Sequence, residues 1–446
     1  MRYLLTTVFL AALVAAASAD PATPERAATP VPEMTLEEII AQALANNPDI
    51  AAGRADIAAA SAQRDVAAGA RWPSVHALGG YTRFQDAQRL VPPSANNQLG
   101  FFSKDLFNAG LVVSLPLYTG GRITNEIRAD DLLRRSAEHQ LSRTREELVF
   151  NVSSTYFSIL GQRRVLDSLE FSKKTLREHR KRIADLIEAQ KAAKVDLLRT
   201  DVRLADIEQQ LVREGHLLDI QGRVLANLMG LDEHAPSPLV VGDLSEPKLD
   251  EKDLTVAGAS GGRADYLAAR AALDAQAKRV EIARGARWPT VSVRGSYSGQ
   301  WAGRATDDGP GTNAFEDTGA VGVFLDIPLF TGGSISAQIR RERASLTAAE
   351  QRLRKLQLQI GLDVETALLN IDSARKRIEA TQAAINQGKE SLRIEQEKYG
   401  LGKGSITDVL DAQSALLESQ TSYYRALADY HIARAQLTLA TGGSNL

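Results

Sequence analysis

Two hydrophobic periods alternate along the chain. From Thr290 to Ser298 the alternation is strict: Val291, Val293 and Tyr297 share one face, and Ser292, Arg294, Ser296 and Ser298 take the other. Val321, Val323, Leu325, Ile327 and Leu329 repeat it, and Leu111, Val113, Leu115 and Leu117 carry it earlier in the chain. Such segments, about ten residues long with one apolar face, have the dimensions of a membrane-spanning β-strand. The pattern predicts strands at about 72–83, 107–118, 288–300 and 319–330. Segments rich in Gly, Asn, Asp and Pro join each pair, over 85–107 and 301–318. Pro116 and Pro328 are expected to stop the second strand of each pair, and Gly120-Gly121 and Gly332-Gly333 to form the strand-to-helix junctions.

Elsewhere the period is helical. Residues 123–194 hold no proline and a single glycine, Gly161; residues 335–399 hold no proline and two glycines, Gly361 and Gly388. Seventy residues of α-helix span about 100 Å, several times a compact domain. Ile339, Leu346, Leu353 and Ile360 recur every seven residues, as do Val409, Leu416, Tyr423, Tyr430 and Leu437. Heptad spacing predicts coiled-coil packing.

The two patterns occur twice. Ala70-Arg71-Trp72-Pro73 returns as Ala286-Arg287-Trp288-Pro289. Leu115-Pro116-Leu117-Tyr118-Thr119-Gly120-Gly121 returns 212 residues later as Ile327-Pro328-Leu329-Phe330-Thr331-Gly332-Gly333. The same offset joins Asp196 to Asp408 and Gly230 to Gly442. The expected layout is an export signal over 1–19, an N-terminal extension over 20–34 and a first repeat over 35–230. A linker over 231–250, a second repeat over 251–442 and a short tail over 443–446 complete it. Arg2, the apolar run from Leu4 to Ala17 and the Ala17-Ser18-Ala19 cleavage pattern carry the expectation of a signal peptide.

Composition narrows the function. The 446 residues include 53 basic and 55 acidic side chains, a formal charge of −2, which gives no support for nucleic-acid binding. The absence of cysteine excludes thiolate catalysis, disulfides and cysteine-bound metals. The six histidines show no metal-binding spacing, and no cofactor motif is found. Past the signal no apolar run of about 18–20 residues is available for a spanning helix, so a chain that crosses a bilayer must do so with strands. Four strands are too few to close a barrel, since membrane barrels begin at about eight. Several chains must then share one barrel: two copies give a filled interior, three give room for a channel.

The duplicated helix–hairpin–helix plan resembles the TolC-type outer-membrane efflux proteins. So do the Thr35-Leu36-Glu37-Glu38 opening with Asn47-Pro48, the two Pro-Leu-aromatic-Thr-Gly-Gly segments, and Lys398-Tyr399-Gly400-Leu401-Gly402 followed by Thr407-Asp408-Val409-Leu410-Asp411-Ala412-Gln413. The resemblance covers nearly the whole mature chain. It implies a mainly α fold with a small transmembrane β part: a homotrimer with a twelve-stranded barrel in the outer membrane of a Gram-negative bacterium, continued by a periplasmic α-helical barrel. The implied function is the exit duct of a tripartite efflux or type I secretion system. The implied partners are a periplasmic adaptor (membrane fusion) protein, an inner-membrane pump of RND or ABC type, and outer-membrane lipid.

The resemblance also places a gate at the periplasmic helix tips, near 192–194 and at Gly402 and Gly404. Asp408 and Asp411, three apart, share one helix face and in a trimer would form stacked carboxylate rings that attract cations. Ser405-x-x-Asp408 reads equally as a capping box, and the two readings are compatible. Asp196 and Tyr399 match positions whose hydrogen bond locks the closed tip. Gly404 stands where the best-known member has an arginine, leaving Lys403 as the nearest cation to join Asp196 and Tyr399 in the gate lock. Arg199 replaces the acid equivalent to Asp411 and reads either as facing the Asp411 ring or as a solvated helix charge. Trp72 and Trp288 fit either interface anchoring or plain packing. Two other readings remain: a soluble periplasmic coiled-coil scaffold, and an exported hydrolase using Ser260 of Gly258-Ala259-Ser260-Gly261-Gly262. That motif lacks the preceding long strand it needs.

Overall fold

The structure is a computed structural model that describes residues 33–89, 102–232, 238–245, 262–303 and 315–443. The expected signal peptide, Ser260, and parts of the N-terminal extension, linker and tail lie outside the described residues. In chain order the elements are β1 (Glu33–Met34), α1 (Leu36–Asn46), α2 (Pro48–Gly69), β2 (Ser74–Arg89), β3 (Phe102–Tyr118), α3 (Arg122–Glu188) and α4 (Lys194–Leu228). Then follow β4 (Leu239–Val240), α5 (Ala264–Gly285), β5 (Thr290–Gly303), β6 (Phe315–Asp326), α6 (Ser334–Gly400) and α7 (Ile406–Thr441). Helix, hairpin, long helix, helix thus occurs in each half.

The helices sit where capping chemistry puts them. Thr35 and Glu38 form a reciprocal capping box on α1. Asn47 caps α2 through its side-chain oxygen, 2.8 Å from the Asp49 amide, while its side-chain nitrogen donates to the Leu228 carbonyl at the end of α4 (2.9 Å). One buried side chain thereby joins two helices end to end. The second half has the same joint in different chemistry: Arg263, before α5, donates to the Ala440 carbonyl of α7 and to Asp265 and Asp363.

α3 and α6 are each 67 residues long, about 100 Å at 1.5 Å per residue. α3 packs against α2 and α5 near the sheet and against α4 and α7 further away; α6 packs against α5 and α7. The row therefore runs α2/α4, α3, α5/α7, α6. Of the expected seven-residue stripes, Val409, Leu416, Tyr423 and Tyr430 are buried on α7 and Ile339 and Ile360 on α6, while Leu346, Leu353 and Leu437 are half-buried. On α6 the spacing continues through buried Ala367 and Ala374. On α6 the stripe steps by four to Ile378 before resuming through Ile385, a stutter that keeps the seam facing its neighbour over a long helix.

The four hairpin strands form one antiparallel sheet ordered β2-β3-β5-β6, leaving β2 and β6 as open edges. The strands run further toward their connecting segments than the alternation predicts, because pairing continues past the apolar stretch to Arg89 with Phe102 and Trp301 with Phe315. Pro116 does not stop β3. It pairs with Ser292, and a register shift between Pro116 and Tyr118 absorbs the missing N–H. β6 ends at Asp326, short of residue 330, because its partner β5 begins at Thr290, directly after Pro289. Gly120 and Gly121, like Gly332 and Gly333, all have φ between 60° and 80°, the left-handed region that turns strand into helix. A side chain at 120 would also collide with the Gly285 carbonyl and Trp288. Among the described residues no helix is long and apolar enough to cross a membrane.

Candidate functional site

The sheet is chemically two-sided. Register places Val75, Val113, Gly295 and Val321 in one row, and Ala77, Leu111, Tyr297 and Gly319 in the next odd-numbered row. Odd-numbered positions of all four strands thus share the apolar face. Ser74, Ser114, Arg294 and Gly322 form a row of the other face, which also carries His76, Asn108, Ser296 and Ser298. The apolar face is bare: Val321 is 82% exposed, Val323 70% and Leu325 62%. No helix covers it. Near the loop end its outer row is aromatic, with Phe107 4.8 Å from Tyr81 and stacked 5.6 Å from Trp301. On the polar face the Arg294 guanidinium lies over the Phe324 ring at 5.1 Å.

At the opposite end of the long helices are two tight turns. α3 ends in a turn where Gln190 takes the left-handed φ of 54°, with Lys191 N–H bonded to the Leu186 carbonyl. α6 ends with Gly402 in the same conformation, φ 71°, and Lys403 N–H bonded to the Lys398 carbonyl. Both are Schellman turns, the first made without glycine. Gly404 has little room for a side chain, since a Cβ there would stand 3.1 Å from the Tyr399 amide nitrogen.

The structure brings Tyr399 and Asp196 together: the phenol donates to the Asp196 carboxylate at 3.3 Å, linking the end of α6 to the start of α4. Burial, with the facing carboxylate, pushes the Tyr399 pKa up to about 12, so the phenol keeps the proton it donates. Arg199 does not meet Asp411; it donates to the Thr407 hydroxyl at 3.0 Å. Asp408 and Asp411 are exposed on one face of α7, with Val409 and Leu410 buried between them. The Asp408 carboxylate accepts from the Ser405 amide at 3.3 Å, completing a capping box. Asp411 makes no hydrogen bond or ion pair among the described residues, nor does the Lys403 ammonium. Lys403 therefore stands apart from the Tyr399–Asp196 pair.

One tip residue escaped the sequence reading. His179 on α3 is only 5% exposed, and its ring lies 5.7 Å from that of Tyr399. Its signal was present: it continues the line Val165, Ser172 at seven-residue spacing. Among the described residues no group of His, Asp and Glu is placed to hold a metal.

An exposed apolar sheet with a polar reverse, mounted on helices about 100 Å long, has the build of a strand bundle carried on a long helical stalk. The sequence profile described as "Outer membrane efflux protein" matches residues 39–231 and 258–443, and the chain belongs to that family. It is 25% identical over 425 residues to the outer membrane protein TolC of Vibrio cholerae serotype O1, covering 91% of this chain and 90% of the relative. In fold it is similar to the outer-membrane channel OprN, with TM-score 0.77, 22% identity, and 92% of this chain and 90% of that one covered. It is likewise similar to the Vibrio cholerae outer membrane protein VceC, with TM-score 0.77, 20% identity, and 92% and 96% covered.

Proposed function

We propose that three copies of this chain assemble into the outer-membrane exit duct of a tripartite efflux or type I secretion machine, conducting substrate passively from an inner-membrane pump to the exterior. The observation that carries this reading is the open sheet. Among the described residues its apolar face has no cover and the edges of β2 and β6 have no strand partner, and each backbone group left unpaired costs several kcal/mol in lipid. Antiparallel order lets β6 of one copy pair with β2 of the next, and four strands from each of three copies make a twelve-stranded barrel with its polar face inward. The helix row has matching free flanks. Val195, Val202, Val212 and Ile220 are exposed on α4 and Leu358, Leu362 and Leu369 on α6, so one closure satisfies both levels.

Below the barrel the helices form a periplasmic tunnel whose tips pinch. In this reading Tyr399 and Asp196 hold the tip closed, Lys403, Gly402 and Gly404 shape its turn, and Asp408 and Asp411 ring the constriction. An adaptor protein docks on the helices and joins the duct to an RND- or ABC-type pump. The soluble-scaffold alternative has no use for a bare valine face. Native mass measurement of detergent-extracted protein tests the proposal. Three copies per particle, extracted from the outer membrane by detergent alone, is the expected result; a single-copy particle free in the periplasm overturns it.

A further inference from the structure

His179 is a buried polar group with no hydrogen-bond partner among the described residues. Among the described residues neither ring nitrogen has a hydrogen-bond partner, although the ring is enclosed in the seam between Leu176 and Ile183, both fully buried. One heptad earlier on the same line, Ser172 receives a hydrogen bond from Gln413 of α7 at 3.2 Å. Natural seams satisfy such groups, and an orphaned imidazole is a cost the fold carries without local return. What the ring does touch is Tyr399, the donor of the bond that ties α6 to Asp196 on α4.

We propose, resting on the reading of the tip as a gate, that His179 is a positioning residue for Tyr399. The neutral ring backs the phenol toward Asp196, and protonation of the ring drives it out of the seam and releases the latch. The charged neighbours favour this outcome. On its own helix Arg182 opposes a second positive charge, while Arg180 pairs outward with Asp201 of α4. On α6 Lys398 is engaged by Glu395. On α7 the Asp408 carboxylate is held by the Ser405 amide. Asp196 of α4 is thus the carboxylate within the latch, and it is already the acceptor for Tyr399. An imidazolium can be satisfied there by competing for that acceptor or by moving to water, and either breaks the bond.

Burial first, then Arg182, hold the His179 pKa below its ordinary value while the tip is packed. The packed tip therefore takes up the proton less readily than the opened one, and acid favours opening. With an opened-state pKa of about 6.5, lowering the pH from about 7.5 to about 5.5 raises the open-to-closed ratio by up to about tenfold per copy.

Hydrogen exchange of the full-length protein in detergent reads this directly, comparing wild type with His179→Leu and His179→Gln at the same pH so that intrinsic exchange rates cancel. Segments 180–200 and 393–405 are expected to exchange faster in wild type than in either variant at pH about 5.5, with the difference gone at about 7.5. Leu keeps the seam filled and Gln keeps it polar, so a purely structural role would shift both pH values alike. Periplasmic-side acidification should also raise wild-type conductance in planar bilayers more than that of the variants. Wild-type and variant tips responding equally to acid would overturn the proposal. An absence of pores would instead strike the conduit reading and leave the exchange comparison decisive.

Discussion

Asp408 shows how one side chain serves two purposes. Its carboxylate closes the capping box at the start of α7, yet remains exposed on the same face as Asp411. An acid at this position is favourable to the helix whether or not anything passes it, so the cap alone accounts for its presence in a single chain. Asp411 has no such local return. If both line the constriction, replacing them together (Asp408→Ala with Asp411→Ala) weakens block by multivalent cations in planar bilayers; an unchanged blocking curve would remove them from the pore. The Tyr399–Asp196 pair was legible in short motifs through resemblance. His179 showed only as a seven-residue continuation of Val165 and Ser172; that its ring meets Tyr399 was not legible, because the two lie 220 positions apart. Arg199, open to two readings in the sequence, donates to the Thr407 hydroxyl, 208 positions away.

At the scale of elements, most of the plan follows from period. Runs without proline become the 67-residue helices, and alternation becomes the strands. Element ends depend on partners instead. Pro116 passes inside β3 because a bulge there needs no N–H, while β6 stops early because its neighbour has not yet begun. The joint between α7 and α5 was equally invisible. Arg263 is 2% exposed and bonds Asp265, Asp363 and the last turn of α7. Burial tends to raise the Asp265 pKa, but the Arg263 hydrogen bonds and charge outweigh it and hold the carboxyl below its usual range. That contribution is complete above the ordinary carboxylate pKa near 4 and is lost as pH falls through the depressed value. Arg263→Met strands two carboxylates. Since both keep some contact with water, a loss at the lower end of the buried-pair range, about 3 kcal/mol, is expected in chemical denaturation at neutral pH and shrinks in acid. Equal stability of variant and wild type at neutral pH would show that the helices meet without this cluster.

At the scale of the whole molecule, the two faces of the sheet make opposite demands. Val323 lies on the bare apolar face and Ser296 on the polar one. In a bilayer, Val323→Arg costs about 2–4 kcal/mol per copy near the midplane, whereas Ser296→Arg faces water. The yield of heat-resistant assemblies in outer membranes should therefore collapse for the first and hold for the second. Similar yields for both would mean that the valine face is not in lipid. The sequence by itself determined the strands, the long helices and the chemical difference between the sheet's faces, because each is written in local periodicity. Its alternation also marked only four such strands, fewer than the roughly eight with which membrane barrels begin. Only the tertiary structure decided which strands are edges, that β3 joins β5 across the two halves, and that Arg199 meets Thr407 and His179 meets Tyr399 at the tip. Those outcomes depend on contacts between residues more than a hundred positions apart, where no local pattern reaches.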